Sequence, residues 1–123
     1  MGKALAEAFA ECRAVFDAAD AALGEPLSRL CFDGPEALLM LTENTQPAIL
    51  TVSVAAARLL VARGVQPAFM AGHSLGEYSA LAAAGAFDLA TTAKLLKLRG
   101  QAMQAAVPVG VGAVPLPADA AGR

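Results

Sequence analysis

Apolar residues recur at helical spacing through the first part of the chain. Between Lys3 and about Leu23 they fall every third or fourth residue, at Leu5, Phe9, Cys12, Phe16 and Ala19. The run Gly24-Glu25-Pro26 ends this pattern. A short apolar piece follows, and Pro35 suits the first position of a short helix that runs through Leu41. The pattern therefore predicts one long amphipathic helix and then a short one.

The second half of the chain alternates apolar runs with breakers. Pro47 opens a long predicted helix to Arg63, which Gly64 closes at the C′ position. Residues 66–72 form a short apolar run that we predict to be a strand, and Ser74 to Ala84 is a predicted helix. Asp88 is the predicted N-cap of a helix that reaches about Ala106. These elements indicate a mostly helical chain with one strand.

Composition narrows the class of protein. The chain has 123 residues, enough for one small domain or part of a larger one, with 57% hydrophobic and 16% charged residues. A net charge of −2 leaves no basic surface for nucleic acid. Cys12 and Cys31 lie in apolar patterns without metal-ligand spacing, so we expect no metal site, and we interpret both as buried, reduced thiols of a cytoplasmic protein.

The chain shows neither a signal peptide nor an evident membrane span. Its most apolar stretch, residues 49–61, is interrupted by Thr51, Ser53 and Arg58 and is shorter than the ~20 residues that a bilayer requires. We therefore expect no membrane partner.

One short motif carries chemistry. Between the predicted strand and the following helix lies the run Gly72-His73-Ser74-Leu75-Gly76, which fits the nucleophile elbow Gly-x-Ser-x-Gly. In such an elbow the serine takes a strained conformation, and we expect glycine at both flanking positions because side chains there would collide with backbone. The backbone N–H of Leu75 would then be one oxyanion donor at a helix N-terminus. The alternative is a Gly-Ser turn in which Ser74 only caps a helix.

Three further polar residues have two interpretations each. His73 is the sole histidine, but a neighbouring side chain on a tight turn points away from Ser74, so we interpret it as pocket-lining or structural rather than as the general base. Arg99 is either a solvated cation or a residue whose guanidinium binds a substrate carboxylate through two parallel hydrogen bonds. Gln46 either helps to cap the long helix or faces an acyl pocket.

Three segments point to a family: residues 41–48 (LTENTQPA), 72–81 (GHSLGEYSAL) and 99–104 (RGQAMQ). With them, from residue 1 to about 113, the chain resembles a malonyl-CoA:acyl-carrier-protein transacylase of fatty-acid synthesis or the equivalent acyltransferase domain of a polyketide synthase. The resemblance implies an α/β fold, namely a fragment of an α/β-hydrolase-like acyltransferase domain, here mostly helical with one strand leading into the elbow.

The resemblance also implies a mechanism and a set of roles. Ser74 would be the nucleophile that takes the malonyl group from malonyl-CoA and passes it to the phosphopantetheine thiol of acyl carrier protein, without a cofactor. The Leu75 N–H would be an oxyanion donor, Arg99 would bind the malonyl carboxylate, and Gln46 and His73 would line the substrate pocket.

The chain also departs from the family's pattern. The family's first strand, its Gly-Gln-Gly-Ser-Gln loop and its downstream catalytic histidine find no match. We therefore expect residues 1–113 to be a partial acyltransferase, the large α/β subdomain without its first strand and C-terminal part, and residues 114–123 to be a divergent, disordered tail. Such a fragment is expected to be nearly inactive alone. The rival interpretations are a serine hydrolase with the same elbow and a non-catalytic remnant.

Overall fold

The computed structural model describes residues 1–106, and within them every regular element is a helix. In chain order the helices are α1 (Lys3–Ala8), α2 (Ala10–Leu23), α3 (Leu27–Asp33), α4 (Glu36–Leu39), α5 (Thr42–Ala62), α6 (Gly76–Ala83) and α7 (Leu89–Ala106). The predicted tail at residues 114–123 lies outside the described residues.

The predicted helix from Lys3 to Leu23 is broken at Phe9. Phe9 is extended, with φ −134° and ψ 120°, and separates α1 from α2. Its ring lies 4.6 Å from the guanidinium carbon of Arg63 at the end of α5. No glycine or proline marks this break, so tertiary packing overrides a helical pattern that the sequence alone continues.

Two of the predicted helix ends, at Gly64 and Asp88, are confirmed by the structure. Gly64 has φ 87°, and Val65 N–H donates to Leu60 O at 3.1 Å, which closes α5 as the Schellman motif predicts. At the start of α7, Asp88 Oδ1 accepts from the Thr91 backbone N–H at 2.7 Å, which confirms the predicted N-cap. The same hydrogen bond holds the pKa of the Asp88 carboxyl below its usual range.

Helix α5 is the centre of the structure. It begins at Thr42 rather than at the predicted Pro47, which lies inside the helix and cannot donate a hydrogen bond to the carbonyl of Glu43. Its 21 residues extend beyond the apolar residues 49–61, and with a mean hydropathy of 1.4 over its most apolar part the helix is, by length and composition alone, long and apolar enough to cross a membrane. Nevertheless α5 packs against α2, α6 and α7, which makes it the core helix of the bundle.

The core lies where α2, α5 and α7 meet. Its fully buried side chains come from all three helices and include Val15, Phe16, Leu50, Val54 and Leu96. The small residues Ala19, Ala55 and Ala93 allow close approach between them. Cys12 and Cys31 are buried free thiols, as predicted, and burial raises the pKa of Cys31 to about 11.

The predicted strand at residues 66–72 is absent from the described part of the chain. A strand exists only through hydrogen bonds to a neighbouring strand, and none of the described residues pairs with this segment. The prediction of one strand is therefore wrong for residues 1–106, whereas the prediction that this part of the chain is mostly helical is confirmed. The described residues leave an apolar face uncovered here, formed by Leu60, Val61, Val65, Phe69, Met70 and Leu81.

Candidate active site

The elbow around Ser74 has the strained backbone that the motif predicts. Ser74 has φ 56°, the only positive φ of a non-glycine residue in the described part of the chain. Such a conformation costs about 1–3 kcal/mol and persists where the surrounding structure enforces it, often at functional sites. Here the Gly76 N–H donates to His73 O at 2.8 Å and closes the turn. The hydroxyl of Ser74 is thereby presented on an exposed turn rather than within a helix.

The two glycines of the elbow differ in their surroundings. A Cβ at Gly72 would lie 1.9 Å from the carbonyl oxygen of Gly76, so only glycine fits at position 72. A Cβ at Gly76 would meet no described atom within 4 Å. The expectation of a steric need for glycine at both positions is thus confirmed at Gly72 and wrong at Gly76, because the first residue of α6 faces open space.

The backbone N–H of Leu75 lies directly before α6. Gly76, Glu77, Tyr78 and Ser79 all donate backbone hydrogen bonds at this helix start. Leu75 N–H has no acceptor among the described residues. An N–H at this place adds to the positive end of the helix dipole and is available to an oxyanion.

Arg99 and Ser74 are brought together across the fold. Arg99 projects from α7, and its Nη2 donates to Ser74 Oγ at 3.2 Å, while its Nη1 donates to Gln46 Oε1 on α5 at 2.7 Å. Gly100 permits this arrangement, because a Cβ there would lie 2.5 Å from Glu43 Cα. Three of the predicted site residues therefore form one continuous hydrogen-bonded group.

The charge of Arg99 is not neutralised within the described residues. The four ion pairs found there use Lys3, Arg13, Arg63 and Lys97, of which Lys97 lies on the same helix and binds Glu25 at 2.7 Å. Arg99 is half-buried, and its hydrogen-bond partners are a neutral amide and a hydroxyl. Its guanidinium carbon also lies 5.8 Å from the centre of the Tyr78 ring. A positive charge is thus held beside the serine without a counter-charge from residues 1–106.

His73 is not joined to this group. Its side chain is exposed and makes no hydrogen bond to Ser74 or to any other described residue. Ser74 Oγ has Arg99 as its hydrogen-bond partner, with no imidazole or carboxylate within range in residues 1–106. Nor do the described residues contain a cluster of histidine, cysteine and carboxylate groups that could hold a metal ion.

The sequence profile of a known family matches this chain almost end to end. The family is described as the acyl transferase domain, and the match covers residues 1–121. The chain belongs to the acyl transferase domain family.

Relatives of this acyl transferase domain are malonyl CoA-acyl carrier protein transacylases. The relative from Bacillus subtilis is 46% identical over 114 residues, which cover 93% of this chain and 36% of the relative. An acyl-carrier-protein S-malonyltransferase from Bartonella henselae superposes with a TM-score of 0.84 at 53% identity, over 87% of this chain and 35% of that one. A malonyl-transacylase solved in complex with its type II PKS acyl-carrier protein gives a TM-score of 0.83 at 47% identity, over 88% of this chain and 34% of that one.

This chain corresponds to only one part of each of these relatives. The chain spans about a third of the length of these relatives, so the likeness concerns one part of their acyltransferase fold. Within that part the described residues share the fold of these solved structures.

Four residues near Arg99 were not singled out from the sequence. Tyr78 lies beside its guanidinium, Thr42 and Met103 contact Gln46, and Gly100 sets the approach of α7 to α5. All four lie within the three family-like segments, and Gly100 carried a further signal, since a glycine in the middle of a predicted helix often marks close packing.

Proposed function

We propose that this chain supplies the nucleophile and the carboxylate-binding cation of a malonyl-CoA:acyl-carrier-protein transacylase. The observation that carries the proposal is the guanidinium of Arg99 at 3.2 Å from Ser74 Oγ, with no carboxylate partner among the described residues. Family membership and the names of the relatives supply the reaction class.

The proposed reaction has two steps. Ser74 Oγ attacks the thioester carbonyl of malonyl-CoA, the Ser74 proton passes to a base, and the C–S bond breaks to release the coenzyme A thiol. The phosphopantetheine thiol of acyl carrier protein then attacks the malonyl-serine ester and regenerates the Ser74 hydroxyl. In both steps negative charge develops on the carbonyl oxygen, and the Leu75 N–H, which has no acceptor among the described residues, would stabilise it.

The length of the acyl group fits the position of Arg99. In a malonyl-serine ester the carboxylate carbon is three bonds of about 1.5 Å from Oγ. A guanidinium that already contacts Oγ therefore lies within reach of that carboxylate without movement of α7. An acetyl group ends one carbon earlier and offers no charge. A charge-assisted hydrogen bond contributes about 1.5–3 kcal/mol, which corresponds to about a tenfold to hundredfold preference for malonyl.

The base of this reaction is proposed to lie outside the described residues. His73 makes no side-chain hydrogen bond to Ser74 among the described residues, and Ser74 Oγ accepts from Arg99, which leaves its own proton free for a base. Acylation of this chain alone should therefore be slow, and added imidazole should accelerate it by taking the proton.

Mass spectrometry of the intact chain provides the test. The purified protein is incubated with malonyl-CoA or acetyl-CoA, with and without imidazole, and the modified peptide is then identified. We expect imidazole-dependent malonylation of Ser74, none in Ser74→Ala, and a malonyl-to-acetyl ratio that falls at least about tenfold in Arg99→Gln.

Four results would contradict the proposal or a part of it. A folded wild-type chain that stays unlabelled with imidazole would exclude Ser74 as an acyl acceptor. Equal labelling of Ser74→Ala would place the acyl group elsewhere. Labelling that favours acetyl, followed by release of the acid to water, would support a serine hydrolase instead. Transfer of the malonyl group to carrier protein at the rate of a full-length relative would contradict the proposal that the base lies outside the described residues.

The proposed partners are malonyl-CoA and acyl carrier protein, and the proposed compartment is the cytoplasm. The two buried, unpaired thiols support a reducing compartment. The partition of the sequence into an acyltransferase portion at residues 1–113 and a separate tail remains a proposal of the same kind.

A further inference from the structure

Both the nitrogen and the oxygen of the Gln46 side-chain amide have partners inside the fold. Gln46 lies on α5 and is 2% exposed. Its Nε2 donates to Thr42 Oγ1 at 3.0 Å and contacts Met103 Sδ at 3.2 Å, while its Oε1 accepts from Arg99 Nη1 at 2.7 Å. Neither end of the amide is directed at solvent. The contact of Gln46 in the described residues is thus with Arg99 rather than with an open pocket.

The orientation of this amide decides how Arg99 is held. A guanidinium has only donors, so it requires the oxygen end of the amide. With the amide reversed, the NH₂ group of Gln46 would face the N–H groups of Arg99, and both would lose a partner in a buried place. Acceptors that hold the NH₂ group therefore keep the oxygen on Arg99. Thr42 and Met103 are those acceptors.

Thr42 is itself fixed from the facing helix. Its backbone N–H donates to Gln104 Oε1 on α7 at 3.3 Å, next to Met103 in the chain. The first turn of α5 and the end of α7 thus clamp the amide from both sides. Gly100, which touches the backbone of Thr42 and Glu43, keeps the two helices at this separation.

A neutral partner leaves the charge of Arg99 available. Lys97, on the same helix, binds the Glu25 carboxylate and has its charge compensated within the fold. Gln46 orients Arg99 through a hydrogen bond, but its neutral amide does not compensate the charge of the guanidinium. We propose that Thr42 and Met103 are positioning residues, which hold the Gln46 amide so that it orients Arg99 toward Ser74 and leaves the guanidinium charge for an acyl carboxylate. This inference rests on the proposed function of Ser74 and Arg99.

The test compares four variants by the malonyl-to-acetyl labelling ratio at Ser74 in the presence of imidazole. Thr42→Val removes the hydroxyl and should lower the ratio about fivefold, the effect of one lost neutral hydrogen bond, whereas Thr42→Ser should restore it. Met103→Leu keeps the volume, removes the sulfur acceptor and should lower the ratio less. Gln46→Glu places a carboxylate against Arg99 and should lower the ratio as far as Arg99→Gln does.

Thr51→Val is the matched control. Thr51 is a buried threonine of the same helix, and its hydroxyl donates to Pro47 O without contacting Gln46. This variant should lose stability and keep the wild-type ratio. A ratio that falls equally in Thr51→Val and Thr42→Val would show a general effect of destabilisation and would overturn the inference.

A second measurement does not depend on acylation. The Arg99 side-chain N–H signals in a ¹H–¹⁵N NMR spectrum, assigned by their loss in Arg99→Gln, should shift in Thr42→Val and Met103→Leu and stay unchanged in Thr51→Val. An unlabelled wild-type chain would contradict the proposed function, and a shift of these signals would still support the positioning role. Labelled wild type with an unchanged ratio and unmoved Arg99 signals in Thr42→Val would overturn the positioning role alone. If Thr42→Val does not fold, Met103→Leu and Gln46→Glu decide by the same criteria.

Discussion

The contact of Gly100 with α5 gives a prediction whose size follows from distances. In Gly100→Ala, the new Cβ would lie 2.5 Å from Glu43 Cα, 2.8 Å from Thr42 O and 2.9 Å from Glu43 N. All three are backbone atoms of another helix, so no side chain can turn away. Since carbon atoms normally meet at about 3.5–4.0 Å, α7 would have to move from α5 by about 1 Å.

The expected cost combines two opposing effects. Overpacking of this kind costs about 1–3 kcal/mol, and the better helix propensity of alanine returns up to about 1 kcal/mol. We therefore expect Gly100→Ala to lower the free energy of unfolding by about 1–2 kcal/mol. A displacement of about 1 Å would also lengthen the hydrogen bond of 2.7 Å between Arg99 and Gln46 beyond its useful range, so the malonyl preference should fall too.

Urea unfolding followed by circular dichroism measures the stability change. The midpoint should fall while the slope of the free energy against urea stays constant. Gly76→Ala is the matched control, because its Cβ meets no described atom within 4 Å and it too lies in a helix. That variant should be as stable as wild type or slightly more stable. A Gly100→Ala chain at least as stable as wild type would refute the steric argument.

Three other predictions follow from buried or exposed groups. The Ser79 hydroxyl is buried without a partner among the described residues, so Ser79→Ala should raise the unfolding free energy by about 1 kcal/mol in the same urea assay; a loss would show that the hydroxyl has a partner. Phe69 is 93% exposed on the apolar face, so Phe69→Lys should slow aggregation in light scattering and leave the helical circular dichroism unchanged; an unaltered rate would exclude this face as the cause. Burial raises the pKa of Cys31 from 9.0 to about 11, so the folded chain retains the thiol proton longer than the unfolded chain, and stability should fall as the pH rises from 9.0 to 11. Cys31→Ala should lose that part of the alkaline decline, and an identical pH profile in both proteins would contradict the shift.

Helix ends with a local cause were predictable from the sequence. Gly64 and Asp88 bind the backbone of their own helices, and their roles need only neighbouring residues. The break at Phe9 and the missing strand at residues 66–72 depend on what packs or pairs with each segment, and neighbouring residues do not specify that. Residues 27–32, an apolar piece to which the sequence pattern assigned no element, lie in helix α3 (Leu27–Asp33).

The candidate site also combines features with a local cause and features that depend on packing between helices. The conformation of Ser74 and the need for glycine at position 72 followed from a contiguous motif. The likeness to the family named Arg99 and Gln46, while their mutual contact required the packing of α5 on α7. Thr42 and Met103 lie within the family-like segments at residues 41–48 and 99–104, but these patterns assign them no role, because each acts through the buried amide of Gln46.

The two hydrogen bonds of Arg99 join segments that are 53 and 25 residues apart in the chain. Helices can form from local contacts alone, whereas these bonds require long loops to close first. A compact state that keeps its helices but has lost fixed packing would retain its circular dichroism and lose this contact group. The environment of one arginine would therefore separate a natively assembled chain from a molten globule that has the same helix content.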